Sequence, residues 1–121
     1  MSSCIFSGIF SDGVATTHTI GTGNYIINEM LLTPIDLNSP AGGACFCTLF
    51  MQSTTLGVFF QHLMLANPGA AALIVNTYPL YMAFASGLPI PRGDTLQFGT
   101  SGYTNCNGVR YSVNIYGQNM G

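Results

Sequence analysis

Lysine and tryptophan are absent, and only Asp12, Glu29, Asp36, Asp94, Arg92 and Arg110 carry a formal charge. Charged residues make up 5% of the 121 positions, against about 25% in an ordinary soluble domain. Two arginines cannot neutralise the several phosphates that backbone binding requires, so nucleic acid is not expected as a direct ligand. The same lack of basic residues argues against docking on a membrane surface. No apolar run reaches the roughly 18 to 20 residues of a membrane span, because Gln61 and His62 separate Leu56 to Phe60 from Leu63 to Ala66. The first ten residues lack a basic segment followed by a continuous apolar one. No secretory signal is therefore apparent, and synthesis in a cytoplasm is the expectation.

Catalytic ingredients are equally scarce. The chain has two histidines, His18 and His62, and four carboxylates, whereas nucleophilic catalysis needs a base that is itself oriented by a third group. Gly-x-Ser-x-Gly, a phosphate-cradling glycine loop and paired carboxylates are all missing. The expectation is a protein that is not an enzyme and carries no cofactor. Cys45 and Cys47 with His18 and His62 form the one conceivable metal set, but Cys-x-Cys with scattered histidines does not match zinc-site spacing, so no metal is expected. Without a secretory signal, Cys4, Cys45, Cys47 and Cys106 read as free thiols. Cys45 and Cys47 lie two apart on one face of a strand, at the upper limit of disulfide reach.

What the chain does have is 48% apolar residues, a mean hydropathy of +0.41, and polar positions filled mostly by Thr, Ser, Asn, Gln and Gly. A surface with so little net charge is poorly protected against association. Much of it is expected to be covered by protein in the working state.

The local pattern is β throughout. Strands are predicted over 4–10 and 14–20, joined as a hairpin at Ser11-Asp12-Gly13, with Gly21-Thr22-Gly23-Asn24 ending the second. Residues 25–37 form a further β-rich region, with a short helix over 28–33 as the competing reading; Pro34 points to an edge or a bulge. A loop over 38–43 precedes strands at 44–51 and 56–65, joined by Gln52 to Thr55. Both carry apolar residues on both faces, which implies cover on the outer side as well. Asn67-Pro68-Gly69 reads as a turn, residues 70–75 as a helical turn, and 76–78 as strand before Pro79. Leu80 to Ala85 is again β-prone. In Leu88-Pro89-Ile90-Pro91 the prolines enforce a stiff extended arm, Gly93-Asp94 supplies a turn, and Thr95 to Phe98 alternate as a half-buried strand. Val109, Tyr111, Val113 and Ile115 share the apolar face of the last strand, opposite Arg110, Ser112, Asn114 and Tyr116. About eight short strands in one domain, residues 1–121, predict an all-β antiparallel β-sandwich or jelly roll.

The candidate interface consists of Val58, Phe59, Phe60, Leu63, Leu80, Tyr81 and Phe84. Arg92-Gly93-Asp94 forms a candidate exposed turn; the tripeptide matches an integrin-adhesion triplet, but the same residues serve a turn into a strand. Tyr25, Tyr78, Tyr81, Tyr103, Tyr111 and Tyr116 on a Thr/Asn/Gly-rich surface could stack against sugars, although tyrosine is ordinary in strands.

The run from Leu88 to Phe98, followed by Asn107 to Gly117, resembles the closing portion of small β-sandwich proteins of tailed-bacteriophage virions. The resemblance covers about a quarter of the chain and is a pattern rather than a motif. It implies a non-enzymatic virion protein located in the particle. The type implied is a capsid decoration (cement) subunit or another minor head or tail protein, trimeric, with the major capsid protein or another virion protein as partner. The alternative function is a receptor- or carbohydrate-binding module of a phage tail or an adhesin.

Overall fold

The computed structural model describes residues 3–13, 15–38, 45–66, 79–104, 106 and 108–121. These form six strands, β1 (Ser3–Asp12), β2 (Thr16–Asn38), β3 (Cys45–Ser53), β4 (Gly57–Ala66), β5 (Leu80–Thr104) and β6 (Gly108–Asn119). All pair antiparallel in one sheet of order β1-β6-β2-β5-β3-β4. Of the predicted loop at 38–43, Asn38 is instead the last residue of β2 and the rest lies outside the described residues, as do the turn at 67–69, the helical turn at 70–75 and the strand at 76–78.

Six strands replace the expected eight because two pairs of predicted strands are fused. β2 has 23 residues and β5 has 25, several times the usual strand length. Gly21 to Asn24 do not end β2; they are taken up as register breaks between Thr19 and Gly21 and between Gly23 and Tyr25. Opposite them, Ile90 pairs with Tyr25 and Asp94 with Gly23, so Pro91, Arg92 and Gly93 form an outward bulge within β5 instead of the predicted turn. Gly93, at φ 91°, occupies the left-handed region that only glycine enters without strain. Turn-prone residues bend a strand without ending it when the ladder resumes beyond them, as it does here. The helix considered over 28–33 is strand, held by β5 on one side and β6 on the other. Pro34 sits where the β5 ladder has already ended at Leu32, beside a bulge against β6. Both positions tolerate a missing N–H.

The predicted β1–β2 hairpin does not form: among the described residues β1 pairs with β6 alone. In a flat sheet β1 and β5 would be separated by three strand spacings, about 14 Å. Yet the rings of Phe10 on β1 and Phe98 on β5 have centroids 4.7 Å apart, and Phe6 lies 5.4 Å from Phe98. The sheet is therefore folded over itself. One half comprises β1, β6, the later part of β2 and the early part of β5; the other comprises the early part of β2, the later part of β5, β3 and β4. β1 and the early part of β2 therefore lie in different halves and are not neighbours in the ladder.

The core lies in this fold. Ile27, Leu32, Leu49, Met51, Phe98 and Ile115 are buried there, each worth roughly 1.5–3 kcal/mol of apolar transfer. In β3 the alternation is regular, with Cys45, Cys47, Leu49, Met51 and Ser53 inward.

Candidate functional site

The densest chemistry is interior. At the end of β1 the Asp12 side chain, 2% exposed, turns into the fold and gathers groups from three other elements. His18 Nε2 on β2 lies 2.8 Å from Oδ1. The Tyr111 hydroxyl on β6 donates to Oδ2 at 2.8 Å, and Thr100 Oγ1 on β5 donates to the same oxygen at 3.3 Å. Tyr103 donates to the Asp12 backbone carbonyl at 3.2 Å and lies 2.9 Å from Thr100 Oγ1. The His18 ring packs against Phe10 and Phe98 at 4.8 and 5.1 Å. Together these contacts clasp the two halves of the sheet around one carboxylate, an arrangement in which every partner is satisfied.

Alternation places Tyr111 inward among Val109, Val113 and Ile115, and a buried phenol requires an acceptor. Burial pushes the Tyr103 hydroxyl up to about 12, with the Thr100 hydrogen bond pulling the other way. Burial first, then the hydrogen bond to Asp12, raises Tyr111. Burial, followed by the proximity of Cys45 and Asp12, pushes the Cys47 thiol up to about 12. Cys106 is raised by burial first and then by its hydrogen bond with Cys45. The folded chain therefore holds protons that the unfolded chain releases at ordinary tyrosine and thiol values. Stability is full below pH about 9 and declines as pH rises toward about 12. Thermal melts from pH 8 to 12 should record that decline, and Tyr103→Phe should make it shallower; an unchanged Tm across that range would contradict the burial of these groups.

The residues singled out from sequence do not converge on one patch. Val58 and Leu63 are exposed on the outer face of the β3–β4 hairpin, and Phe59 is half-buried against the core. Phe60 is core: it pairs with Met51 on the inward face of the hairpin. Leu80 and Phe84 are half-buried against the core from early β5, whereas Tyr81 is exposed and donates to Glu29 Oε2 at 2.6 Å. Arg92 and Gly93 are exposed, but Asp94 is buried. It accepts from Thr55 Oγ1 at 2.6 Å and from Thr55 N at 3.1 Å, tying the β3–β4 turn to β5. The Arg-Gly-Asp triplet thus presents no exposed carboxylate. Among the described residues no cluster of three or more His, Cys, Asp or Glu has metal-holding geometry, and the four cysteines are free thiols.

The outer surface is poorer in charge than the composition indicated. Two of the four carboxylates, Asp12 and Asp94, are inside. Asp36 and Arg110 pair with each other at 2.9 Å, both about half exposed, beside a recess of about 410 Å³ lined also by Ser11, Gly13 and Gly108. Arg92 and Glu29 complete the outward charge. In place of charges, uncharged ladders cross the strands: Gln52 donates to Gln97 at 2.8 Å and Gln97 to Thr19 at 3.2 Å, in register over β3, β5 and β2. On the other half Ser7 donates to Asn114 at 2.7 Å. Phe46, Val58, Leu63, Ile9 and Tyr116 stand exposed between them.

No family model matches the chain, and no curated protein matches it. Among solved structures it is similar to VP2 of infectious bursal disease virus in the crystal structure of the subviral particle. That match has 15% identity and a TM-score of 0.38, and it covers 96% of this chain and 31% of that one. It is also similar to a chain in the structure of the Gx strain of that virus, with 13% identity, a TM-score of 0.37, and 96% and 32% covered. The chain spans about a third of the length of the chains it matches.

Proposed function

We propose that this chain is a non-enzymatic structural subunit of a virus particle, acting through protein–protein contacts. The observation that carries the reading is the surface: two carboxylates are buried, one ion pair neutralises itself, and exposed apolar side chains stand among uncharged Thr, Gln, Asn and Ser. Such a surface suits permanent burial against other subunits, where each Å² of apolar area removed from water contributes about 25 cal/mol before the costs of association. The proline-bearing early part of β5 and the alternating β6, which resemble the closing portion of tailed-phage virion proteins, support the finer reading. In that reading the folded sheet is a sandwich or jelly roll, and the subunit is a trimeric capsid decoration protein seated on the major capsid protein.

A second reading rests on Tyr81 and Tyr116. Both are exposed beside Glu29, with Tyr81 bonded to it and Tyr116 paired opposite it. Aromatic rings next to a carboxylate are what a sugar-binding module would present.

Light scattering on the purified chain, with and without reductant, followed by co-sedimentation with capsids, tests the first reading. A trimer or larger assembly that ignores reductant and sediments with capsids is expected. A monomer that binds no capsid and retains related sugars on a glycan array would replace it with the second.

A further inference from the structure

Three of the four thiols meet at one place in the core. Cys45 opens β3 and is fully buried, and Cys47 follows it on the same inward face. Cys106, half-buried just beyond the end of β5, packs against the same core. The ladder brings them together: Phe46 pairs with Thr104, the last residue of β5. Cys45 precedes Phe46 and Cys106 follows Thr104, and in an antiparallel pair those two directions coincide. The side chains complete the approach, because the Cys106 and Cys45 thiols share a hydrogen bond, whereas Cys47 acts on Cys106 by proximity alone. Two thiols in such contact need little rearrangement to reach disulfide geometry.

We infer that Cys45 and Cys106 are a latent disulfide, which a small-molecule disulfide of the glutathione class closes within one chain while the fold stays as it is. The Cys106 sulfur, as thiolate, attacks one sulfur of the oxidant and expels the other, which leaves as a thiol with the proton that Cys106 gave up. The Cys45 sulfur then attacks the Cys106 sulfur, the mixed disulfide breaks, and the second small thiol departs with the Cys45 proton. The two protein thiols lose two electrons and the oxidant gains them. Cys106 takes the first step because Cys45 has no exposed surface. Burial raises the Cys106 thiol, so that step is slow; the second joins groups already in contact, and the mixed disulfide does not accumulate. Cys45 and Cys47 lie at the limit of disulfide reach, and Cys4 is exposed on β1, which pairs with β6. The bond closes a loop of about 60 residues that holds β4 and β5. Being internal to one chain, it stands apart from the assembly reading. A chain made in a reducing compartment acquires it on passing to an oxidising one.

The test takes the native full chain, reduced and freed of reductant, incubates it with excess oxidised glutathione and blocks the remaining thiols. With two arginines and no lysine, trypsin yields 1–92, 93–110 and 111–121, and Cys106 is the one cysteine in 93–110. By mass spectrometry 93–110 is expected joined to 1–92, lighter than their sum by two hydrogens and released by reduction. Chymotrypsin, which cuts after Phe46, then separates Cys45 from Cys47 and should leave Cys45 in the joined piece. A non-reducing gel should show single chains. The oxidised chain should melt at least about 5 °C above the reduced one, as closure of a loop this long implies, and Cys106→Ser should lose both the join and the shift. Peptide 93–110 recovered unlinked, carrying glutathione, or joined through Cys47 or Cys4 overturns the inference. So does a join between two chains, or one that leaves the Tm unchanged or lower.

Discussion

Asp12→Ala is expected to lower the free energy of unfolding by about 3–5 kcal/mol, the range seen when one partner of a buried charged network is removed. The carboxylate is the common acceptor for Tyr111 and Thr100 and lies within hydrogen-bond distance of His18 Nε2. Alanine leaves the buried phenol facing a space that cannot accept from it, at a cost of about 1–3 kcal/mol, and removes the partner of the partly exposed His18 ring. Asp12→Asn keeps the shape and one acceptor but sets an NH₂ group among donors, so an intermediate loss is expected. Tyr111→Phe should cost less than Asp12→Ala, because Asp12 retains His18 and Thr100. Urea titrations of the three variants and of the Asp12/Tyr111 double variant measure this, with a coupling energy of at least about 1 kcal/mol expected between the pair. An Asp12→Ala variant within about 1 kcal/mol of wild type would mean that the clasp does not hold the halves of the sheet together.

That clasp was half legible in the sequence. Tyr111 could be placed on the apolar face of the last strand by alternation alone, and its hydroxyl then demanded a partner. The partner was hidden because Asp12-Gly13 is also good turn chemistry, and turn chemistry puts a carboxylate in water. Local pattern cannot distinguish an aspartate that turns outward from one that turns inward at a crossover between layers; the choice is made by Thr100 and Tyr103, some 90 residues away in sequence. Asp94 was misplaced for the same reason. Gly93 does adopt a left-handed conformation, but the bend belongs to a bulge, and the next side chain is drawn under the β3–β4 turn by Thr55.

Strand character was readable nearly everywhere, from alternation in the last strand and from runs rich in β-branched, aromatic and other apolar residues between turn-prone ones elsewhere. Strand ends were not. Gly21, Gly23 and Gly93 all look like terminators, and each lies inside a strand that continues. Breakers end an isolated strand; in a ladder long enough to resume past them they only curve it. Beside them the β2–β5 register shifts, between Thr19 and Gly21 and between Gly23 and Tyr25. Hydrophobicity alone, on which the interface candidates rest, cannot separate Phe60, inward on β4, from Leu63, outward on the same strand. One intervening bulge between Gly57 and Phe60 shifts the alternation there, and a one-residue slip exchanges the faces.

The folded sheet also depends on two places where the backbones of neighbouring strands come too close for any side chain. Gly99 on β5 lies opposite Thr17, and Gly117 on β6 lies opposite Ile27. A Cβ at Gly99 would collide with the carbonyl oxygen of Thr16, and one at Gly117 with that of Ile26. In both cases the obstacle is backbone, which cannot rotate aside as the tip of a side chain does. Nor can the strand retreat, because Gly99 is also paired with Phe50 of β3 and Gly117 with Ser3 of β1. Gly99→Ala and Gly117→Ala are therefore each expected to destabilise the protein by about 3 kcal/mol or more, at the upper end of overpacking effects. Gly57→Ala separates this cause from backbone strain. Its φ is 68° and nothing lies within contact of an added Cβ, so its loss should stay near the roughly 1–2 kcal/mol of a left-handed residue. Chemical denaturation of the three variants decides the matter. Equal losses at all three positions would assign the effect to local strain, whereas a clear excess at Gly99 and Gly117 would locate it in the close approach of β5 to β2 and of β6 to β2. Those are the two ladders from which the halves of the folded sheet extend.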